Sequence, residues 1–269
     1  MILATGLSGT IGRHLGPNIN TFSPDLTKDF DSAQTGLLEN VQTMIHLAGK
    51  VGVMACESNP KESYELNVLG TLRLGKAILE GSTGRLIFIS SGHVYEGSPF
   101  SLKEDAPLNP QSTYAQHKLL AEDGLLSLFH NQPHRLTILR VFSVLDWNTA
   151  RGSLGANITR ILHAREKIVI NNSRDIRDFL TPVTIAQAIS RVATENRISG
   201  ILNLCSSNAL TIEKACARMA HLAKFPLDYF DFRRENSSLP HLIGNNSLIK
   251  SFLPDINLEW NVKDPSLPR

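Results

Sequence analysis

Along this chain, short apolar runs alternate with longer stretches in which apolar and polar residues recur at helical spacing. The runs fall at Met1–Thr5, Thr43–Ala48, Arg85–Ser90, Leu136–Phe142 and Ile201–Cys205, rich in Ile, Leu, Val or Phe. Their weak polar alternation suits strands buried on both faces, as in a parallel sheet covered by helices. Helical patterns lie between them, at Ile11–Leu15, Pro60–Glu80, Tyr114–His130 and Thr184–Asn196. A second strand is expected at Ile19–Phe22. This repetition predicts an α/β fold: a Rossmann-type doubly wound parallel sheet with a smaller C-terminal substrate-binding lobe.

The pattern changes after Phe142. Asp146–Gly155 is polar and turn-rich, a helix is expected over Ala156–Arg165, and Lys167–Ile170 reads as a short strand. The tail from Lys224 is interrupted by Pro226, Pro240, Pro254, Pro265 and Pro268. Residues 1–145 are therefore expected to form the dinucleotide domain, with 181–205 returning to it. Residues 146–180 and 206–269 are expected to form the small lobe.

Composition narrows the class. The 269 residues are 42% hydrophobic and 19% charged, ordinary for a protein that buries a sizeable core. Lys+Arg at 27 against Asp+Glu at 25 leaves +2, too balanced to call for nucleic acid or an anionic membrane as partner. Cys56, Cys205 and Cys216 lack metal-site or redox spacing, so no metal is expected and the thiols read as reduced. With no signal-peptide pattern and no apolar stretch near the ~20 residues that cross a bilayer, a cytoplasmic protein is the expectation.

The first strand runs into Thr5-Gly6-Leu7-Ser8-Gly9-Thr10-Ile11-Gly12. Glycines in a strand-to-helix turn let the backbone bend tightly and approach a pyrophosphate, which a helix N-terminus would then face. An acid to hold the adenosine ribose is expected ~20 residues on. Ser23 stands at the end of the second strand, and Asp25, Asp29 and Asp31 follow, the last two read as solvated loop acids. NAD and NADP both stay open.

Tyr114-Ala115-Gln116-His117-Lys118 sets Tyr and Lys four apart, on one helix face. An ammonium beside a phenol stabilises the phenolate, so a lowered tyrosine pKa is expected. The strand at Arg85–Ser90 ends in Ser90-Ser91, and in open α/β sheets ligands bind beyond the carboxyl ends of strands.

Taken with Ser90-Ser91-Gly92-His93-Val94-Tyr95, these segments resemble the extended short-chain dehydrogenases/reductases, and more narrowly the nucleotide-sugar NAD-dependent epimerase/dehydratase family. His46-Leu47-Ala48-Gly49, Asn67-Val68-Leu69-Gly70-Thr71, Arg140-Val141-Phe142, Arg177-Asp178-Phe179 and Gly200-Ile201-Leu202-Asn203-Leu204 extend the likeness in order. The resemblance implies a catalytic set of Ser91, Tyr114 and Lys118 with Asn67. It implies cofactor contacts at Gly6, Ser8, Gly9, Thr10, Ile11, Gly12, Asp25, Leu26, Leu47, Ala48, Gly49, Asn67, Ser90, Tyr114, Lys118 and Val141. Substrate contacts are implied at Ser91, His93, Tyr114, Ser143, Asn157 and Arg177, the arginine pairing with the sugar-nucleotide diphosphate. A homodimer through Pro60–Glu80 and Tyr114–His130 is also implied.

Ser143 stands where the family usually has Asn, and Thr181-Pro182-Val183-Thr184 replaces an acid-bearing segment. Sugar 4,6-dehydratases of the family carry Asp-Glu after the catalytic hydroxyl residue, where this chain has Gly92-His93. What remains is hydride transfer at one sugar carbon of a nucleotide sugar with NAD or NADP, as a 4-ketoreductase or a 4-epimerase. A catalytically silent NAD(P)-binding sensor is the alternative of another class.

Overall fold

The computed structural model describes residues 1–147, 149, 153–233 and 241–263. Pro240, Pro265, Pro268 and parts of the 146–155 turn lie outside them.

The described strands are β1 (Ile2–Thr5), β2 (Ile19–Thr21), β3 (Thr43–His46), β4 (Arg85–Ser91), β5 (Leu136–Val141), β6 (Ser143–Val144), β7 (Ile168–Ile170), β8 (Ile176–Leu180), β9 (Gly200–Leu204), β10 (Ala209–Thr211) and β11 (Phe230–Phe232). The helices are α1 (Ser32–Gly36), α2 (Val53–Ser58), α3 (Pro60–Tyr64), α4 (Gly70–Gly81), α5 (Thr113–Leu128), α6 (Leu154–Ala164), α7 (Pro182–Thr194), α8 (Ile212–Leu222) and α9 (Ser247–Phe252).

Six strands form the main sheet in the order β2-β1-β3-β4-β5-β9, all parallel. β4 and β5 are buried along their whole length, apolar except at Arg85, Ser90, Ser91, Thr137 and Arg140. One face packs on α7, with Ile185, Ile189 and Val192 against Ile87, Leu139 and Leu202. The other packs on α4 and α5, with Leu74, Ile78, Ala121 and Leu125 against Met44, Phe88 and Ile138.

The lobe has a separate core of Leu145, Trp147, Ile158, Phe179, Met219 and Trp260. The three-stranded sheet β10-β8-β6 and the pair β11-β7 belong to it. Residues 181–205 return to the main sheet through α7 and β9. The tail does so as well, against expectation: Ile249, Leu253 and Leu258 fill the main core. Apolar residues behind Pro240 thus serve two cores rather than one.

Two predicted helices differ. The stretch Ile11–Leu15 forms only a 3-10 turn at Gly12–His14. Gly16 and Pro17 follow, and a helix cannot propagate through that pair into a strand that begins at Ile19. The 60–80 stretch is helical throughout but changes winding, with a wide π-turn at Glu65–Leu69 between α3 and α4. Among the described residues, no helix is long and apolar enough to cross a membrane.

Candidate active site

The carboxyl ends of β1, β3 and β4 meet the N-terminal half of α5. At the end of β1, Gly6 takes φ +74°, and a Cβ there would sit 2.7 Å from the Ala48 nitrogen. A Cβ on Gly12 would lie 2.2 Å from the Gly6 carbonyl oxygen. Both positions therefore accept only glycine. Gly9 differs: it is exposed, and its Cβ would meet only the Gly6 oxygen, at 3.2 Å. The N–H groups of Ser8, Thr10 and Ile11 have no acceptor among the described residues. An open loop with unspent donors fits the diphosphate of a dinucleotide. With the following helix reduced to one 3-10 turn, the expected helix-dipole contribution is missing and the loop itself must supply the donors.

The loop after β3 is fixed by a hydrogen-bond chain. Ala48 N–H donates to Thr5 Oγ1 (3.1 Å), which lies 2.7 Å from His46 Nδ1, and His46 Nε2 lies 3.0 Å from Thr71 Oγ1. Thr71 Oγ1 donates to the Asn67 carbonyl at 2.8 Å. One tautomer satisfies every member: Thr5 O–H donates to Nδ1, and His46 carries its proton on Nε2. Burial, then the charge of Lys118, pushes the His46 pKa down to about 3, so the ring stays neutral.

Asn67 sits in the π-turn with its amide fully spent. Lys50 N–H donates to Oδ1 at 2.7 Å, and Nδ2 donates to the Lys50 carbonyl at 2.9 Å and to Ser63 Oγ at 3.3 Å. Asn67, expected in the catalytic set, clamps the backbone beside Gly49, which takes φ +154°.

Ser91 at the end of β4 and Tyr114 and Lys118 on α5 come together. Ser91 is buried at the end of β4, its hydroxyl accepting from His93 N–H at 3.2 Å and lying close enough to Tyr114 to act on its phenol. Ser112 caps the first turn of α5, accepting from Ala115 N–H at 3.2 Å, which fixes Tyr114 on the facing turn. Lys118 Nζ donates to the Ile89 carbonyl at 2.8 Å and stands 4.7 Å from the Phe88 ring centroid.

The electrostatics differ from expectation. Burial pushes the Tyr114 pKa up to about 12, with Cys56 adding to the rise and the Ser91 hydrogen bond opposing it. The reason is that the Lys118 ammonium is turned to Ile89 and Phe88. Burial brings Lys118 itself down to about 8, against Glu122 and Cys56.

His93 and Arg177 are near enough for the arginine charge to act on the imidazole. Burial, then the Arg177 charge, lowers the His93 pKa to about 4. Arg177 is buried on β8 and donates to Asp175 Oδ2 at 3.0 Å. The adjacent Asp178 accepts from Ser206 N–H (2.7 Å), Ser206 Oγ (2.6 Å), Ser207 N–H (2.9 Å) and Gly244 N–H (3.3 Å). It holds the β9–β10 turn and the returning tail against the strand that carries Arg177. Ser143 is half-buried opposite Phe179 on β6, and Asn157 is half-buried in the first turns of α6.

Other expected contacts are spent elsewhere. The Ser90 hydroxyl donates to Glu122, away from the cleft. Asp25 accepts from Thr27 N–H and Oγ1 and pairs with Lys28 at 3.2 Å, so its carboxylate serves its own turn. Leu26 packs under Gly70, where a Cβ would meet it at 2.9 Å, and Val141 is core. Sequence reasoning missed Thr5, Thr71, Glu122 and Asp178. For Glu122 the signal was present: an acid on the apolar face of a helix, four residues beyond Lys118. Among the described residues, no cluster of His, Cys, Asp or Glu could hold a metal.

These features define a doubly wound α/β enzyme built around a dinucleotide. The profile of the NAD dependent epimerase/dehydratase family matches residues 2–205, and the chain belongs to that family. It is 26% identical over 248 residues, 84% of this chain and 81% of the relative, to GDP-6-deoxy-D-mannose reductase of Pseudomonas aeruginosa. It superposes on RMD from Pseudomonas aeruginosa complexed with NADPH, with TM-score 0.79 and 21% identity, covering 98% of this chain and 95% of that one. UDP-glucose 4-epimerase from Bifidobacterium longum in complex with NAD+ and UDP gives TM-score 0.82 and 18% identity, over 98% and 95%. The expectation of an NAD(P)-dependent reductase or epimerase of nucleotide sugars agrees with these relatives.

Proposed function

We propose that this chain is an NAD(P)H-dependent reductase of a 4-keto sugar carried on a nucleoside diphosphate. The approach of the Ser91 and Tyr114 side chains to one another at the end of β4 carries the reading, because two hydroxyls there could hold one carbonyl oxygen. A reduced nicotinamide bound at this site would supply the hydride to the carbonyl carbon. Tyr114 donates its proton to the oxygen as the C–O bond becomes an alcohol, and Ser91 holds that oxygen in place. A pKa near 12 keeps Tyr114 protonated and ready to donate at neutral pH. Lys118 binds the cofactor ribose, and Gly6, Gly9 and Gly12 with Ser8, Thr10 and Ile11 form the diphosphate cradle. Arg177 meets the sugar-nucleotide diphosphate, and neutral His93 contacts the substrate.

The relatives that are 4-epimerases keep a second reading in view: the same groups would serve an epimerase that retains its cofactor. The homodimer expected through 60–80 and 114–130 is part of the proposal, supported by Leu120 and Leu128, exposed on the outer face of α5. So is a cytoplasmic location. Purified protein should oxidise GDP-6-deoxy-D-mannose with NADP+ or NAD+, followed by nicotinamide absorbance. Interconversion of UDP-glucose without net change in cofactor would favour the epimerase instead. No turnover in either assay, with NAD(P)H bound, would favour the sensor.

A further inference from the structure

The reading above leaves one buried acid of the tyrosine helix without a task. Glu122 is fully buried, two helical turns from Tyr114 and one from Lys118, on the same face. Its carboxylate accepts from the Ser90 hydroxyl and from Arg140, through Nε at 3.1 and 3.2 Å and Nη2 at 2.6 Å. Arg140 also donates to the Glu104 carbonyl at 3.1 Å and stands 4.7 Å from the Tyr95 ring centroid. Tyr95 closes the row by donating to Asn203 Oδ1 on β9 at 2.7 Å. Burying an ion pair is costly, and apolar residues of similar volume would pack this interface at least as stably. Packing alone does not account for the acid.

We infer that Glu122 is a positioning residue of the reactive set: it ties the helix that carries Tyr114 and Lys118 to the strand end that carries Ser91, and it sets a fixed negative charge one turn from the Lys118 ammonium. This rests on the reading of Ser91, Tyr114 and Lys118 as that set. Beside the contact of Ser91 with Tyr114, two hydrogen bonds tie α5 to the end of β4, Lys118 to the Ile89 carbonyl and Ser90 to Glu122. Ser91 is the next residue along the strand. Without the second link, the hydroxyl of Ser91 and that of Tyr114 lose their shared frame.

The charge acts beside the geometry. The groups facing the Lys118 ammonium are Glu122 from its own helix, Cys56 from α2, His46 from β3, and the Ile89 carbonyl and Phe88 ring from β4. His46 stays neutral, which leaves Glu122 as the compensating carboxylate. Burial pulls Lys118 down to about 8, and Glu122 is the largest influence holding it up. Facing Glu122 in turn are Ser90 from β4 and Arg140 from β5, with Tyr95 and Glu104 beyond the arginine.

A carbon-13 NMR titration of lysine-labelled protein reads the charge effect directly, with the Lys118 signal assigned by its loss in Lys118→Met. Glu122→Gln keeps the shape and one acceptor oxygen while removing the charge. The Lys118 midpoint should then fall by about one pH unit, the low end of what a nearby opposite charge exerts. An unmoved midpoint overturns the charge role. Glu122→Asp keeps the charge and shortens the reach, so the midpoint should hold while oxidation of GDP-6-deoxy-D-mannose slows about tenfold, less than the 10²-fold that a 1 Å misplacement costs. Ser90→Ala breaks the same link without touching a charge and should match it; full turnover in both variants overturns the positioning role. Should Glu122→Gln fail to fold, the aspartate and alanine variants decide. Tyr114→Phe runs alongside: turnover in that variant sinks the reactive set itself, whereas its inactivity beside unaffected Glu122 and Ser90 variants sinks only the role of Glu122.

Discussion

Replacing Gly49 by alanine tests how the loop beside the cofactor cradle is held. Gly49 takes φ +154°, a conformation that side chains rarely adopt, and its Cβ would lie 2.5 Å from Asn67 Oδ1. Two costs arise. Backbone strain at such a φ is worth about 1–3 kcal/mol. Displacing the Asn67 amide breaks its two bonds to Lys50, at 2.7 and 2.9 Å, each worth about 1 kcal/mol. Gly49→Ala should therefore lose about 3–5 kcal/mol, a large share of the 5–15 kcal/mol typical of a folded domain. Urea denaturation followed by circular dichroism measures it. Asn67→Ala removes the obstacle and the clamp together, so the double variant should be less destabilised than the sum of the singles by about 1–2 kcal/mol. A loss under about 1 kcal/mol for Gly49→Ala, or strict additivity with Asn67→Ala, would refute the clamp.

Further expectations concern chemistry and binding. Tyr114→Phe should keep the fold and NAD(P)H affinity by calorimetry while turnover drops about 10²–10⁴-fold. Reduction by the native protein should fall as pH rises through about 8, because Lys118 then loses its proton while Tyr114, near 12, keeps its own; a steady-state pH profile flat to pH 10 would contradict this (about two units beyond the Lys118 value). Gly9→Val should abolish binding of both NAD(H) and NADP(H) in calorimetry and leave the melting temperature nearly unchanged, since only the Gly6 oxygen crowds that position. Arg177→Ala should weaken nucleotide-sugar binding by about 1.5–3 kcal/mol while cofactor affinity holds, and equal losses for both ligands would mark Arg177 as purely structural.

The parallel sheet was legible because its strands are short, mainly apolar runs with little polar alternation, and the trio because Tyr114 and Lys118 share a helix face beside a strand that ends in Ser91. What escaped depends on contacts between distant segments. The clamp from Asn67 to Lys50 and the chain from Thr5 through His46 to Thr71 join side chains whose spacing carries no periodic signal. The lowered tyrosine pKa was expected from proximity in sequence, whereas the direction in which Lys118 points decides it. The overcalled first helix shows the reverse case: apolar spacing at Ile11 and Leu15 was outweighed by Gly16-Pro17 and an early β2. The helix α8 was not among those predicted, although Ile212, Ala215, Cys216, Met219 and Ala220 follow helical spacing and the last four are buried.

The returning tail bears on how the chain is made. Leu242 pairs with Arg177, Gly244 donates to Asp178, and Ile249, Leu253 and Leu258 fill the gap against α7 and β9. A ribosome delivers these residues after every strand of the main sheet. Until they emerge, the nascent chain carries an apolar trough on its finished sheet and an Asp178 short of one donor. Native closure of the cleft is therefore a late event in synthesis, and the unfinished trough is where a holding chaperone would have to act.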